Sequence, residues 1–179
     1  MAAKGLIHIY TGSGKGKTTA AVGLAVRAAA RGWRVCYVSF HKSRRYYAGG
    51  EQALLTKIGV DVRRFAPSHP MCRTAISLAL KQQIGRQCRR GLSFLMDACR
   101  SGGYDLVIAD ELNICVRDGF ITETEVVALL QAKPAGMELV VTGRGASAAI
   151  IAAADVVSEI REIKHPFSRG IPARKGIDY

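Results

Sequence analysis

Apolar residues recur along this chain at two spacings. Short, dense runs rich in β-branched and aromatic residues predict strands at 6–10, 33–40, 60–65, 105–110, 138–142 and 156–160. Between them, runs with the three-to-four-residue spacing of a helical face predict helices at 17–31, 51–58, 75–100, 122–131 and 146–153. Several ends carry boundary signals. Gly32 and Gly59 follow the first two helices as C-terminal caps, and Thr122 with Glu125 forms the S/T-x-x-E pattern of a capping box. Within the long run at 75–100, Gly85 and Gly91 are candidate break points. Residues 161–179 show neither period and read as an irregular tail. This alternation predicts a single α/β domain over residues 1–179, with a mostly parallel sheet, helices on both faces and right-handed crossovers. No repeat, low-complexity block or Pro/Gly/Ser-rich linker divides it.

Composition changes that picture little. A chain of 179 residues can bury a core of its own, and 49% apolar with 22% charged residues excludes global disorder. The five cysteines are odd in number and include no C-x-x-C pair, which speaks against a disulfide framework or a zinc knuckle. Cys36, Cys88, Cys99 and Cys115 sit beside apolar residues and read as buried thiols, while Cys72 lies in a polar loop. No basic stretch leads into a long apolar one at the N-terminus, and no run of about 18 apolar residues occurs, so neither a signal peptide nor a membrane span is expected. A reducing cytoplasm fits best. The unusual number is the charge: 26 Lys and Arg against 14 Asp and Glu, a net +12. It points to an anionic partner (nucleic acid, a membrane surface or a phosphate-rich small molecule) or to a solvated basic surface.

The densest chemistry lies between the first strand and the first helix, in Thr11-Gly-Ser-Gly-Lys-Gly-Lys-Thr-Thr19. Strand, glycine-rich turn, GKT and helix is the context of a phosphate-binding P-loop, with Thr11 where the full pattern has Gly. Gly12, Gly14 and Gly16 let the backbone turn N–H groups inward as an anion nest, to which Ser13, Lys15 and Thr19 belong as neighbours. The helix adds its positive end, Lys17 a point charge for phosphate oxygens, and Thr18 a hydroxyl for a magnesium ion held by those phosphates. A second signal is Leu106-Val-Ile-Ala-Asp110-Glu111, an apolar strand ending in two carboxylates. In P-loop nucleotidases such a strand delivers an acid to the metal beside the loop. Asp110 is the better candidate, with Glu111 next to it. Together these predict a P-loop NTPase, RecA-like, binding a nucleoside triphosphate with Mg²⁺ or Mn²⁺; they do not fix the reaction.

Further stretches narrow the reading: Asp110-Glu-Leu-Asn113, Val141-Thr-Gly-Arg144, Asp155-Val-Val-Ser-Glu159 and the tail Lys164-His-Pro-Phe…Gly170-Ile…Lys175-Gly-Ile-Asp-Tyr179. With the P-loop, they resemble the short-P-loop ATP:corrinoid adenosyltransferase family over most of the chain, apart from a gap around 67–87. The resemblance implies transfer of the 5′-deoxyadenosyl group of ATP to the Co(I) centre of a corrinoid, with triphosphate leaving. It implies Lys17 and Thr18 as catalytic residues, and Gly12 to Thr19 with Glu51 and Arg144 as nucleotide contacts. Thr18, Asp110 and Glu111 would hold the metal. It further implies a flavoprotein reductase as electron donor and a homodimer.

The chain departs from the family pattern in places. The family's aromatic-rich segment after the third strand is replaced by Phe65-Ala-Pro-Ser-His-Pro-Met-Cys-Arg73, which offers His69 as a conceivable cobalt ligand, and Trp33, the only Trp, lies elsewhere. The family's F-I-K-G is Phe40-His-Lys-Ser43, followed by Arg44-Arg-Tyr-Tyr47, and its Ala-Gln before KGID is Ala173-Arg174. Two other readings therefore stay open: a diverged member that binds ATP with another ligand or a regulatory role, and a basic RecA-like ATPase acting on nucleic acid. The latter is disfavoured because no basic platform interleaved with aromatics exists beyond 44–47. A small-molecule kinase would share the P-loop but release ADP.

Overall fold

The computed structural model describes residues 4–42, 50–66 and 77–178. Six strands, β1 (Ile7–Thr11), β2 (Val35–Phe40), β3 (Asp61–Phe65), β4 (Leu106–Asp110), β5 (Glu138–Thr142) and β6 (Val156–Glu159), form one sheet in the order β3-β2-β4-β5-β1-β6. Every neighbouring pair is parallel. The helices are α1 (Lys17–Ala29), α2 (Gly50–Lys57), α3 (Leu78–Ser101), α4 (Leu112–Arg117), α5 (Glu123–Gln131) and α6 (Ala148–Ala152). All six predicted strands form. None of the described helices is long and apolar enough to cross a membrane.

Two apolar layers sandwich the sheet. On one face α1 buries Ala21, Ala25 and Ala28, a stripe at helical spacing whose small side chains let the helix lie close to Tyr37, Ile108 and Val140. On the other, α3 buries Ile84, Cys88, Leu92, Leu95 and Cys99 against Val38, Phe40, Val107 and Ala109. β2 and β4 are buried on both faces throughout, as central parallel strands must be.

Three expectations are corrected. First, α3 runs unbroken through Gly85 and Gly91. Gly91 is there for space: a Cβ would collide with the Phe40 ring and sit 2.9 Å from Phe65 Cγ. The helix opens at Leu78 with Ser77 as its N-cap, accepting from the Leu80 amide at 3.2 Å. Second, α4 was not expected: only six residues long, it follows Glu111 in a left-handed conformation and is too short to show a period. Third, the tail is not wholly irregular. Pro166–Arg169 form a 3₁₀ turn, and the segment beyond closes on itself through Asp178, which accepts from the Arg174 amide at 2.8 Å. The capping box on α5 is present as read: the Thr122 side chain accepts from the Glu125 amide at 3.3 Å, while the Thr122 amide donates to Glu125 at 2.7 Å.

Candidate nucleotide site

The site forms where parallel strands end together, the place where open α/β sheets bind ligands. Register brings its parts into line. Tyr10 of β1 pairs with Thr142 of β5, Ala109 of β4 with Val141, and Ser39 of β2 with Asp110. The P-loop, the acid pair and the residues just past β2 therefore meet at one edge.

Thr11 is the last residue of β1, not a loop residue. Its carbonyl accepts from Ile160 at 2.9 Å and its hydroxyl from the Ala146 amide at 3.2 Å. A Gly there would forfeit the hydroxyl bond, which explains the departure from the full motif. The loop that follows is pinned by the segment after β6. Gly14 N–H donates to Ile160 O at 2.7 Å, and Glu162 N–H to Ser13 Oγ at 3.3 Å. A Cβ on Gly12 would strike the Ile160 carbonyl, and one on Gly14 would lie 2.6 Å from the Arg161 carbonyl. Gly12 and Gly14 thus serve close backbone approach. The Gly14 amide is committed to Ile160, correcting the expectation that it faces an anion. Gly16 has φ 127°, open to glycine and strained for other residues.

Lys17 does not lie on an exposed nest. It is buried, and its Nζ donates back across the loop to the carbonyls of Gly12 and Gly14 at 2.8 and 2.6 Å. Burial first, then repulsion from Arg144, pulls its pKa below the usual lysine value. The positive charges of Lys17 and Arg144 beside the loop favour an anion there.

Asp110 is fully enclosed. Its carboxylate accepts from Thr18 Oγ1 at 3.0 Å, Tyr37 OH at 2.8 Å and Thr142 Oγ1 at 2.7 Å, and pairs with Lys42 Nζ at 2.7 Å. Burial alone would raise its pKa, but Lys42 and these hydrogen bonds outweigh it and hold the carboxyl below the ordinary aspartate value. Lys42 also donates to Thr18 Oγ1 at 3.0 Å. Glu111 is placed differently. Its backbone is left-handed, at φ 67°, and its amide donates to Thr142 Oγ1 at 3.0 Å. Its Oε2 is buried with no hydrogen-bond partner among the described residues. Burial, then the charge of Asp110, pushes its pKa up.

Lys17, Thr18, Lys42 and Glu111 border a cavity of about 710 Å³. Of the predicted contacts, Gly14, Lys15, Gly16, Lys17, Thr18, Thr19, Glu51, Glu111 and Arg144 line it. Gly12 and Ser13 do not; they face a second recess that borders β6. Asp110 does not line it either, but stands behind Thr18. The opposite wall is the tail, through His165, Pro166, Ile171 and Ile177. Lys15 Nζ ties tail to loop by donating to Ile177 O at 2.9 Å and to the Asp178 carboxylate.

Sequence reasoning missed Lys42, Tyr37 and Thr142. The signal for the first two is the pairing of β2 with β4, visible only once strand order is known. His69, Cys72 and 44–47 lie outside the described residues.

Comparison with known proteins places the chain. The family model described as ATP:corrinoid adenosyltransferase BtuR/CobO/CobP matches residues 3–179. The corrinoid adenosyltransferase CobA of Salmonella typhimurium is 36% identical over 182 residues, covering 98% of this chain and 86% of that protein. The corrinoid adenosyltransferase of Escherichia coli is 35% identical over 176 residues, covering 98% and 86%. That of Pseudomonas aeruginosa is 31% identical over 193 residues, covering 98% and 84%. On a match spanning the P-loop, the acid pair and the tail that closes the cavity, this chain belongs to the ATP:corrinoid adenosyltransferase family.

Proposed function

We propose that this protein transfers the 5′-deoxyadenosyl group of ATP to the cobalt of a corrinoid and releases intact triphosphate. The observation that carries this reading is the cavity itself, with the P-loop, Glu111 of the acid pair and the tail brought onto one space. Its volume lies in the range of about 300–1,000 Å³ usual for small-molecule sites.

The chemistry asks for positioning more than activation. The lone pair of a Co(I) corrinoid forms the cobalt–C5′ bond as the C5′–O bond breaks. The electrons of that bond leave with triphosphate, and cobalt becomes formally two electrons more oxidised. So strong a nucleophile needs no general base. The chain's task is to hold C5′ in line and to stabilise charge gathering on the leaving group. Lys17, the loop amides and Arg144 supply positive potential on one side, and Lys15 does so beside the tail. The residues also fit a magnesium ion: the Thr18 hydroxyl and the buried, unpartnered oxygen of Glu111 are hard oxygen donors. Thr18 and Glu111 would hold it, with Asp110 orienting Thr18. When bound, the ion would neutralise part of the triphosphate charge.

The net charge of +12 supports docking of an acidic flavoprotein reductase that delivers the electron making Co(I). We take the protein to act as a homodimer in the cytoplasm, where its buried free thiols would stay reduced. The test is anoxic incubation with ATP, Mg²⁺ and a chemically reduced corrinoid, followed by the light-sensitive absorption of the cobalt–carbon bond. The reading predicts its appearance, and a loss of about 10²–10³-fold in kcat for Lys17→Ala. No cobalt–carbon bond in the wild-type protein would overturn it.

A further inference from the structure

Behind the nucleotide site, and unused by it, three potential metal ligands converge. His41, Cys88 and Cys115 come from three separate elements: the first residue past β2, the middle of α3, and α4. Their ligand atoms all lie within 4.8 Å of one another. All three residues are buried, at 3%, 0% and 0% exposure. The His41 Nε2 and Cys115 Sγ are 3.2 Å apart.

The surroundings fix the three groups. The His41 amide donates to Phe65 O at 3.3 Å, and its ring packs on Phe120 with centroids 5.9 Å apart. The Cys115 carbonyl accepts from the amides of Phe120 and Ile121. Arg89, one residue along α3 from Cys88, donates to Phe120 O at 3.0 Å. His41 itself adopts φ 60°, a left-handed backbone that a non-glycine residue holds only when its surroundings impose it. That conformation turns its ring inward to the thiols.

We infer that His41, Cys88 and Cys115 form a binding site for a thiophilic metal ion, zinc(II) by preference. Zinc–sulfur bonds of about 2.3 Å and zinc–nitrogen bonds of about 2.0–2.1 Å place tetrahedral ligand atoms roughly 3.5–3.8 Å apart, compatible with this cluster. The donors are soft, which disfavours magnesium or calcium. Charge selects among the thiophilic ions. Two thiolates and a neutral imidazole cancel a divalent charge, so the loaded site is neutral in an apolar interior; a monovalent copper ion would leave a net negative charge there. Three protein donors leave one tetrahedral position for an oxygen. Such an ion would clamp α3 and α4 to the end of β2, next to Lys42, and its binding energy would add to folding.

The test uses the full reduced chain, stripped of metal and titrated with zinc against a chromogenic chelator. One equivalent should bind, and the melting temperature should rise. Cobalt(II) should give the intense visible bands of a tetrahedral site with thiolate charge transfer. Cys88→Ser and Cys115→Ser should each weaken zinc binding by at least about 100-fold, with Cys99→Ser unchanged as the buried-thiol control. Because the wild-type titration needs no variant, a folding failure in either serine variant leaves it decisive. The inference is overturned by absence of stoichiometric zinc binding, by a cobalt spectrum lacking charge transfer, or by zinc binding that survives loss of both thiols. It is equally overturned if the fresh protein proves two hydrogens lighter, with Cys88 and Cys115 joined as a disulfide.

Discussion

Lys42 holds the negative end of the site together. Asp110 is enclosed, and the ammonium of Lys42, 2.7 Å away, is the largest of the influences that hold its carboxyl below the ordinary aspartate value, ahead of the Thr142 and Tyr37 hydroxyls. Removing one partner of a buried pair strands the other, at a typical cost of about 3–5 kcal/mol. Lys42→Met should therefore destabilise the protein by that order at pH 7. The pH dependence follows from the sign of the shift. In the wild type the native Asp110 pKa is depressed, so the stability it contributes is present above the unfolded value of about 3.9 and is lost as pH falls through the native value. In the variant, burial without Lys42 raises that pKa, and the penalty is relieved as pH falls. Urea unfolding at pH 7 and pH 5 should show the gap between the two proteins narrowing at the lower pH. A constant gap would mean that Asp110 is not the charge Lys42 compensates.

At the scale of elements, the two glycines inside α3 have opposite reasons for being there. At Gly85 a Cβ would meet only Arg89 Nη2 at 3.4 Å and Phe120 Cδ1 at 3.7 Å. Gly85→Ala should be neutral or stabilising by up to about 1 kcal/mol, the intrinsic helix preference for alanine. At Gly91 the same methyl would overlap the Phe40 ring. Gly91→Ala should destabilise by about 1–3 kcal/mol, the usual cost of overpacking, despite its better propensity. Thermal unfolding of both variants separates the two effects. This contrast also marks what was legible in the sequence. Hydrophobic period placed every strand and most helices, and motif spacing the P-loop and the acid pair, because each leaves a local signature. What Gly91 abuts, why Gly14 points its amide at Ile160, and where Lys42 goes depend on strand order, a long-range fact. The tail defeated periodicity for another reason: it packs by backbone and side-chain hydrogen bonds to the P-loop, with no apolar stripe.

For the molecule as a whole, the tail is the part that makes the P-loop a specific cavity. Residues 170–176 are exposed, so they contribute little to the core, yet the tail closes one wall and ties to Lys15 through Asp178. An exposed ion pair of this kind is worth at most about 1 kcal/mol to folding. Deleting residues 174–179 should leave the melting temperature nearly unchanged and raise the KM for ATP about tenfold, equivalent to about 1.4 kcal/mol of lost contacts. The +12 charge is more than the site needs. Lys15, Lys17, Lys42 and Arg144 line the nucleotide side, and the other basic residues are spread along the chain.

The reaction is defined by which bond of ATP breaks: at C5′, and not between phosphates. Phosphorus NMR of the products, taken alongside the cobalt–carbon absorbance, tests it most directly. One intact triphosphate should accumulate for each corrinoid adenosylated. Accumulation of ADP and orthophosphate, in step with ATP loss and without a cobalt–carbon bond, would instead place the break between phosphates and rule out adenosyl transfer.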